Sequence, residues 1–184
     1  GDEHETAYDE HIWLSLKNAN AICNKLAGII GEVAGDNAST VNANAEAYSE
    51  KISALAKKYT DELALLEKNT LIYGGRFPFI YLAEDYDLEY YAAFSGCSAE
   101  SEASFETIIY LAGKVDEFSC SSVIGIKGDS TDIAETIIEN TIDKNQNLVI
   151  MDSMQSLGLN EYESGVNYIS VMDYNLEQIK TALS

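Results

Sequence analysis

The chain has 184 residues, enough for one core with an appended element and short of two comfortable domains. Its 31 acidic residues against 11 Lys plus Arg give a formal charge of −20, a field that attracts cations and repels phosphate backbones and anionic headgroups; nucleic acid and membrane surfaces are therefore set aside as partners. No apolar run approaches the roughly 20 residues that span a bilayer, and no basic-then-apolar leader is present.

The acidic start, Gly1, Asp2, Glu3, His4 and Glu5, reads as a cleavage scar at the end of a polar loop, which points to a piece of a longer protein. Asp9, Glu10, His11, Ile12, Trp13, Leu14 and Ser15 then bring the single tryptophan beside one of two histidines at a helix start. Neutral imidazole is the commonest protein ligand for zinc-like ions, and a carboxylate-flanked histidine on a short loop suits that role; capping or packing is the alternative use of such a residue.

From Leu16 to Val33, apolar Ala19, Ile22, Leu26, Ile29, Ile30 and Val33 recur at steps of three and four, predicting an amphipathic helix that Gly35, Asp36 and Asn37 end. Val41, Ala45, Tyr48, Ile52, Leu55, Tyr59, Leu63 and Leu66 continue the same period and predict one helix of roughly 40 Å at 1.5 Å per residue, a strut or a coiled-coil arm. After Asn69 the period changes. Short β-rich runs at Leu71 to Tyr73, Glu89 to Phe94, Ser122 to Ile126 and Leu148 to Met151 alternate with helical patterns at Phe79 to Tyr86, Ser104 to Phe118 and Thr131 to Thr141. A closing helix carries Ile169, Met172, Leu176, Ile179 and Leu183 on one stripe. The expected fold class is α/β: a long backbone helix, then a four-stranded parallel sheet with helices on both faces and right-handed crossovers.

Open parallel sheets bind ligands beyond the carboxyl ends of their strands. By this reading strand one delivers Gly74, Gly75 and Arg76; strand two Gly96, Cys97, Glu100 and Glu102; strand three Lys127, Gly128 and Asp129; strand four Asp152 and Ser153. Asp152 is the best ligand candidate of the group, with capping of the next segment as its alternative role. Enzyme signatures are missing: no Gly-x-Ser-x-Gly elbow, phosphate-binding loop or His-Glu-x-x-His occurs, and nothing local would assemble Cys97, His11 and Asp152 into a thiol triad. Cys23, Cys97 and Cys120 lack Cys-x-x-Cys spacing and are expected to be free thiols.

Several of these segments together resemble the C-terminal part of the substrate-binding lipoproteins of zinc and manganese ABC transporters, also described as adhesin lipoproteins. Asp9 to Ser15 resembles the family's Asp-Pro-His-x-Trp-Leu-Ser, and Asn44, Ala45 and Tyr48 its Asn-Ala-x-x-Tyr. Phe79, Tyr81, Leu82 and Tyr86 follow Phe-x-Tyr-Leu-x-x-x-Tyr; Glu102, Ala103 and Ser104 resemble Glu-Pro-Ser. The resemblance implies two α/β lobes joined by a long helix with a metal between them. On that plan residues 1–35 would end the first lobe, 36–69 would form the linking helix and 70–184 the second lobe. It also implies that His11 and Asp152 are metal ligands, that zinc, or manganese, is the ion, and that an ABC permease is the partner at an extracellular, lipoprotein-anchored or periplasmic location.

One position departs from the family pattern. Where a histidine or glutamate ligand follows the first strand of the second lobe, this sequence has Arg76, whose guanidinium cannot coordinate a cation. Either Arg76 turns away to pair with Glu100, Glu102 or Asp129, or the lobe has become a metal-free, adhesin-like interaction module. The family's first-lobe histidine has no counterpart here, so zinc binding is expected to be weak or absent, since such sites use about four ligands. The apolar face of the first helix is expected to stay open and to allow a homodimer.

Overall fold

Alternation along the first strand decides how the sheet is covered. In the computed structural model, which describes residues 8–96, 98 and 102–184, β1 (Thr70–Phe77) sends Leu71, Tyr73 and Phe77 into one hydrophobic cluster and Ile72 into another. A strand buried on both faces is the mark of a parallel sheet inside an α/β layer structure. All pairings are parallel, and the strand order is β2-β1-β3-β4, with β2 at Glu89–Ser95, β3 at Ser122–Ile126 and β4 at Asn147–Met151.

The larger cluster lies beneath α2 (Ala38–Leu63), α3 (Ile80–Asp85) and α7 (Tyr168–Leu183), where Ile52, Tyr59, Leu82, Met172, Leu176 and Ile179 meet the sheet. The opposite face is closed by α4 (Phe105–Glu117) and α5 (Asp132–Glu139) through Leu111, Val115, Ala134 and Ile137. Among the described residues the expected four-stranded parallel sheet with helices on both faces is present.

Chain reversal at the edge of the sheet begins with α1 (Leu16–Val33), whose bounds equal those predicted and whose N-cap Ser15 accepts a hydrogen bond from the Asn18 amide at 3.0 Å. A 3₁₀ turn at Gly35–Asn37, with Gly35 in the left-handed region at φ 56°, leads into α2. The predicted stripe of α1 is only partly used. Ala19 and Ile22 are half-buried, whereas Leu26, Ile29, Ile30 and Val33 are exposed, Val33 by 83%; the buried positions of α1, Leu16 and Ala27, fall outside that stripe, and among the described residues α2 is the helix laid along α1, covering one side. On its other side α2 is bonded to α7: Tyr59 Oη donates to the Met172 carbonyl at 2.6 Å, Lys58 reaches Asp173 at 2.7 Å, and Lys180 reaches Glu62 at 2.5 Å. This flank contact makes α2 a packed element of the domain, not a coiled-coil arm.

Two boundaries differ from expectation for identifiable reasons. Gly74, Gly75 and Arg76 lie inside β1, not after it, with a register shift between Tyr73 and Arg76 against β2. Gly74 lies against α5: a Cβ there would fall 2.3 Å from the Ala134 Cα, so the glycine serves helix-on-strand contact and not a turn. A further short helix, α6 (Leu159–Glu163), had no apolar period to announce it and follows β4 through an exposed loop. Cys23 and Cys120 are free thiols; Cys97 lies outside the described residues.

Candidate metal centre

The strand order reverses between β1 and β3, so the crevice that open α/β sheets use for ligands opens at the carboxyl ends of those two strands. That point is closed by an ion pair. Arg76, near the end of β1, makes a bidentate bond to Asp129 beyond β3, with Nη2 to Oδ1 at 2.6 Å and Nε to Oδ2 at 3.0 Å. The planar guanidinium fork matches a carboxylate in this way, so the positive charge at the family's ligand position is committed to a neighbour. Among the described residues, Asp129 is the foreseen partner that Arg76 engages. Glu102 is exposed before the N-cap of α4, and Glu100 lies outside the described residues.

His11 sits on the loop that enters α1 and is wholly buried. Asp9 turns back onto it, Oδ1 accepting from the His11 backbone amide at 2.9 Å and lying 2.9 Å from Nδ1. A carboxylate accepts only, so Nδ1 carries a hydrogen, and in the neutral ring Nε2 keeps the lone pair. The loop is fastened from three sides. Tyr81 Oη of α3 donates to the Asp9 carbonyl at 2.8 Å; Gly96, at the end of β2, leaves room for the Asp9 carboxylate, where a Cβ would come within 2.9 Å of Oδ2; Trp13 Nε1 donates to the Ser153 carbonyl at 3.0 Å. The indole also packs on the imidazole, ring centres 5.3 Å apart. Asp9, Glu10 and His11 place one ligand atom each within 4.8 Å of one another.

Asp152 follows β4 directly. Asn175 of α7, fully buried, clamps its backbone with two bonds, accepting from the Asp152 amide at 2.9 Å and donating to its carbonyl at 2.8 Å. The carboxylate is occupied within the chain: Oδ1 accepts from the Met154 amide at 2.8 Å and Oδ2 from Lys127 Nζ at 2.9 Å. Lys127 also reaches Glu161 of α6. The two carboxylates, Glu161 foremost, hold the Lys127 ammonium above its ordinary pKa, and Lys127 with the Gly158 amide holds Glu161 below the usual carboxylate range. The remaining nitrogen of His11, Nε2, lies 3.0 Å from the Gln155 side-chain amide nitrogen, which donates to it, while Gln155 Oε1 accepts from Ser153 Oγ at 3.0 Å.

His11 and the Asp152 loop are therefore brought to one place, through Gln155 on Nε2 and Ser153 under Trp13. Sequence reasoning named His11, Asp152, Arg76 and Asp129 but passed over Gln155 and Glu161, and took Lys127 only as a strand-end residue. Gln155 meets His11 across 144 positions, and no local pattern carries such a pairing.

A deprotonated imidazole nitrogen with a carboxylate behind its partner nitrogen is the arrangement found around metal-bound histidines, where the carboxylate fixes the tautomer. The chain's similarities agree with that chemistry. Residues 1–182 match the family described as zinc-uptake complex component A, periplasmic. The zinc-binding lipoprotein AdcA of Streptococcus pneumoniae is 29% identical over 181 residues, covering 98% of this chain and 35% of that protein. The Zn(II)-bound ZnuA-like domain of Streptococcus pneumoniae AdcA superposes with a TM-score of 0.77 at 27% identity, covering 96% of this chain and 64% of that one. The laminin-binding adhesin of Streptococcus agalactiae shares the fold, with a TM-score of 0.83 at 19% identity over 97% of this chain and 64% of its own. The chain spans about a third of the length of the streptococcal zinc-binding relatives. It belongs to the zinc-uptake complex component A family of periplasmic metal-binding proteins.

Proposed function

We propose that the chain is the linking helix and second lobe of an extracellular solute-binding protein that captures a divalent metal, zinc first and manganese second, for an ABC permease. Residues 1–35 end the first lobe, 36–69 form the linking helix and 70–184 the second lobe. The observation that carries this reading is the Asp9–His11 pair, which leaves a lone pair on His11 Nε2 directed at the loop that begins with Asp152. A carboxylate on Nδ1 fixes the tautomer that a metal-bound histidine uses, with Nε2 as the ligand atom.

The function is capture without chemistry. His11 supplies an imidazole nitrogen and Asp152 a carboxylate, and the surplus of acidic side chains raises the local concentration of cations. Arg76 stays neutralised on Asp129 and takes no part in coordination. Two such ligands fall short of the four of a full zinc site, so this chain alone is expected to bind in the micromolar range and not the nanomolar. The open apolar stripe of α1, Leu26 to Val33, is the surface against which the rest of a first lobe, or a second copy of the chain, would lie.

Calorimetric titration of zinc at neutral pH tests the reading. One saturable site is expected, lost in His11→Ala and in Asp152→Ala and weakened about 10- to 100-fold in Asp9→Asn, which removes the tautomer-fixing charge. Binding that survives both ligand variants would place the metal away from His11 and Asp152, and absence of saturable binding in the unmodified chain would favour the metal-free, adhesin-like alternative.

A further inference from the structure

Resting on that reading, we infer that the metal-free cleft is closed by its own side chains, with Gln155 acting as a stopper on His11 Nε2 and Lys127 as a stand-in cation on Asp152, so that capture proceeds by displacement. Both atoms a metal would use are already satisfied: Nε2 by the Gln155 amide at 3.0 Å, the Asp152 carboxylate by Lys127 at 2.9 Å. His11 is wholly buried while Gln155 is an exposed residue, so the amide stands between the imidazole and solvent.

The two closures are mechanically joined. Between Asp152 and Gln155 lies Met154 at φ 56°, a left-handed conformation unfavourable for a long side chain. The turn is held by Asp152 Oδ1, which accepts from the Met154 amide at 2.8 Å. A cation that takes Asp152 oxygens removes that bond, leaves Met154 free to return to an ordinary backbone conformation, and draws Gln155 off His11. Lys127 loses one partner and keeps the other, Glu161, so no charge is stranded by the exchange.

A stopper that has left before the metal–imidazole bond forms costs every metal the same, whereas a ligand contributes differently to zinc and manganese. The test is therefore Gln155→Ala in the full chain, titrated separately with zinc and with manganese, alongside Lys127→Met. Gln155→Ala should tighten both metals by the same factor, about 3- to 10-fold, the worth of one net hydrogen bond. Lys127→Met should tighten both as well, and more at low salt. A readout that needs no metal accompanies these: acylation of His11 by diethylpyrocarbonate, with peptide mapping to separate it from His4, should accelerate in Gln155→Ala. Unchanged acylation, weaker binding, or a gain for one metal only would overturn the stopper while leaving metal capture intact. Absence of binding in wild type and in every variant would overturn metal capture itself, and displacement with it.

Discussion

Replacing Gly74 with alanine is expected to lower the stability of the chain by about 3 kcal/mol, the upper part of the usual range for overpacking a core. The added carbon would sit 2.3 Å from the Cα, 2.5 Å from the Cβ and 2.7 Å from the backbone nitrogen of Ala134. Two of those three atoms belong to the backbone of α5, so no rotamer change relieves the clash, and the helix must lift its Ala134 and Ile137 away from Ile72 and Val123 of the sheet. A loss of that size corresponds to about 6–12 °C in melting temperature for a chain of this length. Thermal unfolding followed by circular dichroism measures it. The double variant with Ala134→Gly discriminates: it removes the Cβ contact but leaves the contacts to Cα and N, so recovery should be less than half. Full recovery would mean that side-chain crowding alone sets the requirement for glycine.

Asn175→Leu is expected to act on stability and on the metal site together. The substitution keeps the branched shape and heavy-atom count of the side chain but leaves the Asp152 amide and carbonyl without the partners they have at 2.9 and 2.8 Å. Each stranded group costs about 1–3 kcal/mol, giving about 2–6 kcal/mol in total. The same two bonds fix the direction in which the Asp152 carboxylate leaves β4, so zinc affinity should fall by about 10- to 100-fold in molecules that remain folded. Urea denaturation gives the first quantity and calorimetry the second. A destabilised variant with undiminished zinc affinity would show that Met154 and Lys127, not Asn175, orient the carboxylate.

How far these features could be read from the sequence depended on the distance over which each is determined. The α1 helix was legible to the residue, because its period and its stop at Gly35 are local; the Ser15 cap came with the folded structure. β1 was cut short because Gly74 and Gly75 look like a turn; the use of Gly74 is set by Ala134, sixty positions away. The Asp9–His11 contact spans two residues, and a carboxylate flanking a histidine was visible at once. Arg76 could be given three candidate partners and no more, since the choice depends on β1 and β3 being neighbours across the intervening β2 excursion. Gln155 had no signal at all, its role being created by a left-handed residue and an Asx turn that only the folded loop contains.

The bonds between α2 and α7 also bear on the order in which the chain can assemble. Tyr59 to Met172 spans 113 positions, Lys58 to Asp173 spans 115 and Lys180 to Glu62 spans 118. Each closes a loop that contains all four strands, and the entropy of closing a loop must be met before the contact rewards it. The long helix can therefore form early on its own period but cannot dock until the sheet has condensed and the last sixteen-residue helix has been laid down. Its docked position depends on the far end of the chain, and so does that of the cleft loop, which His11 and Trp13 tie to Gln155 and Ser153 beyond β4.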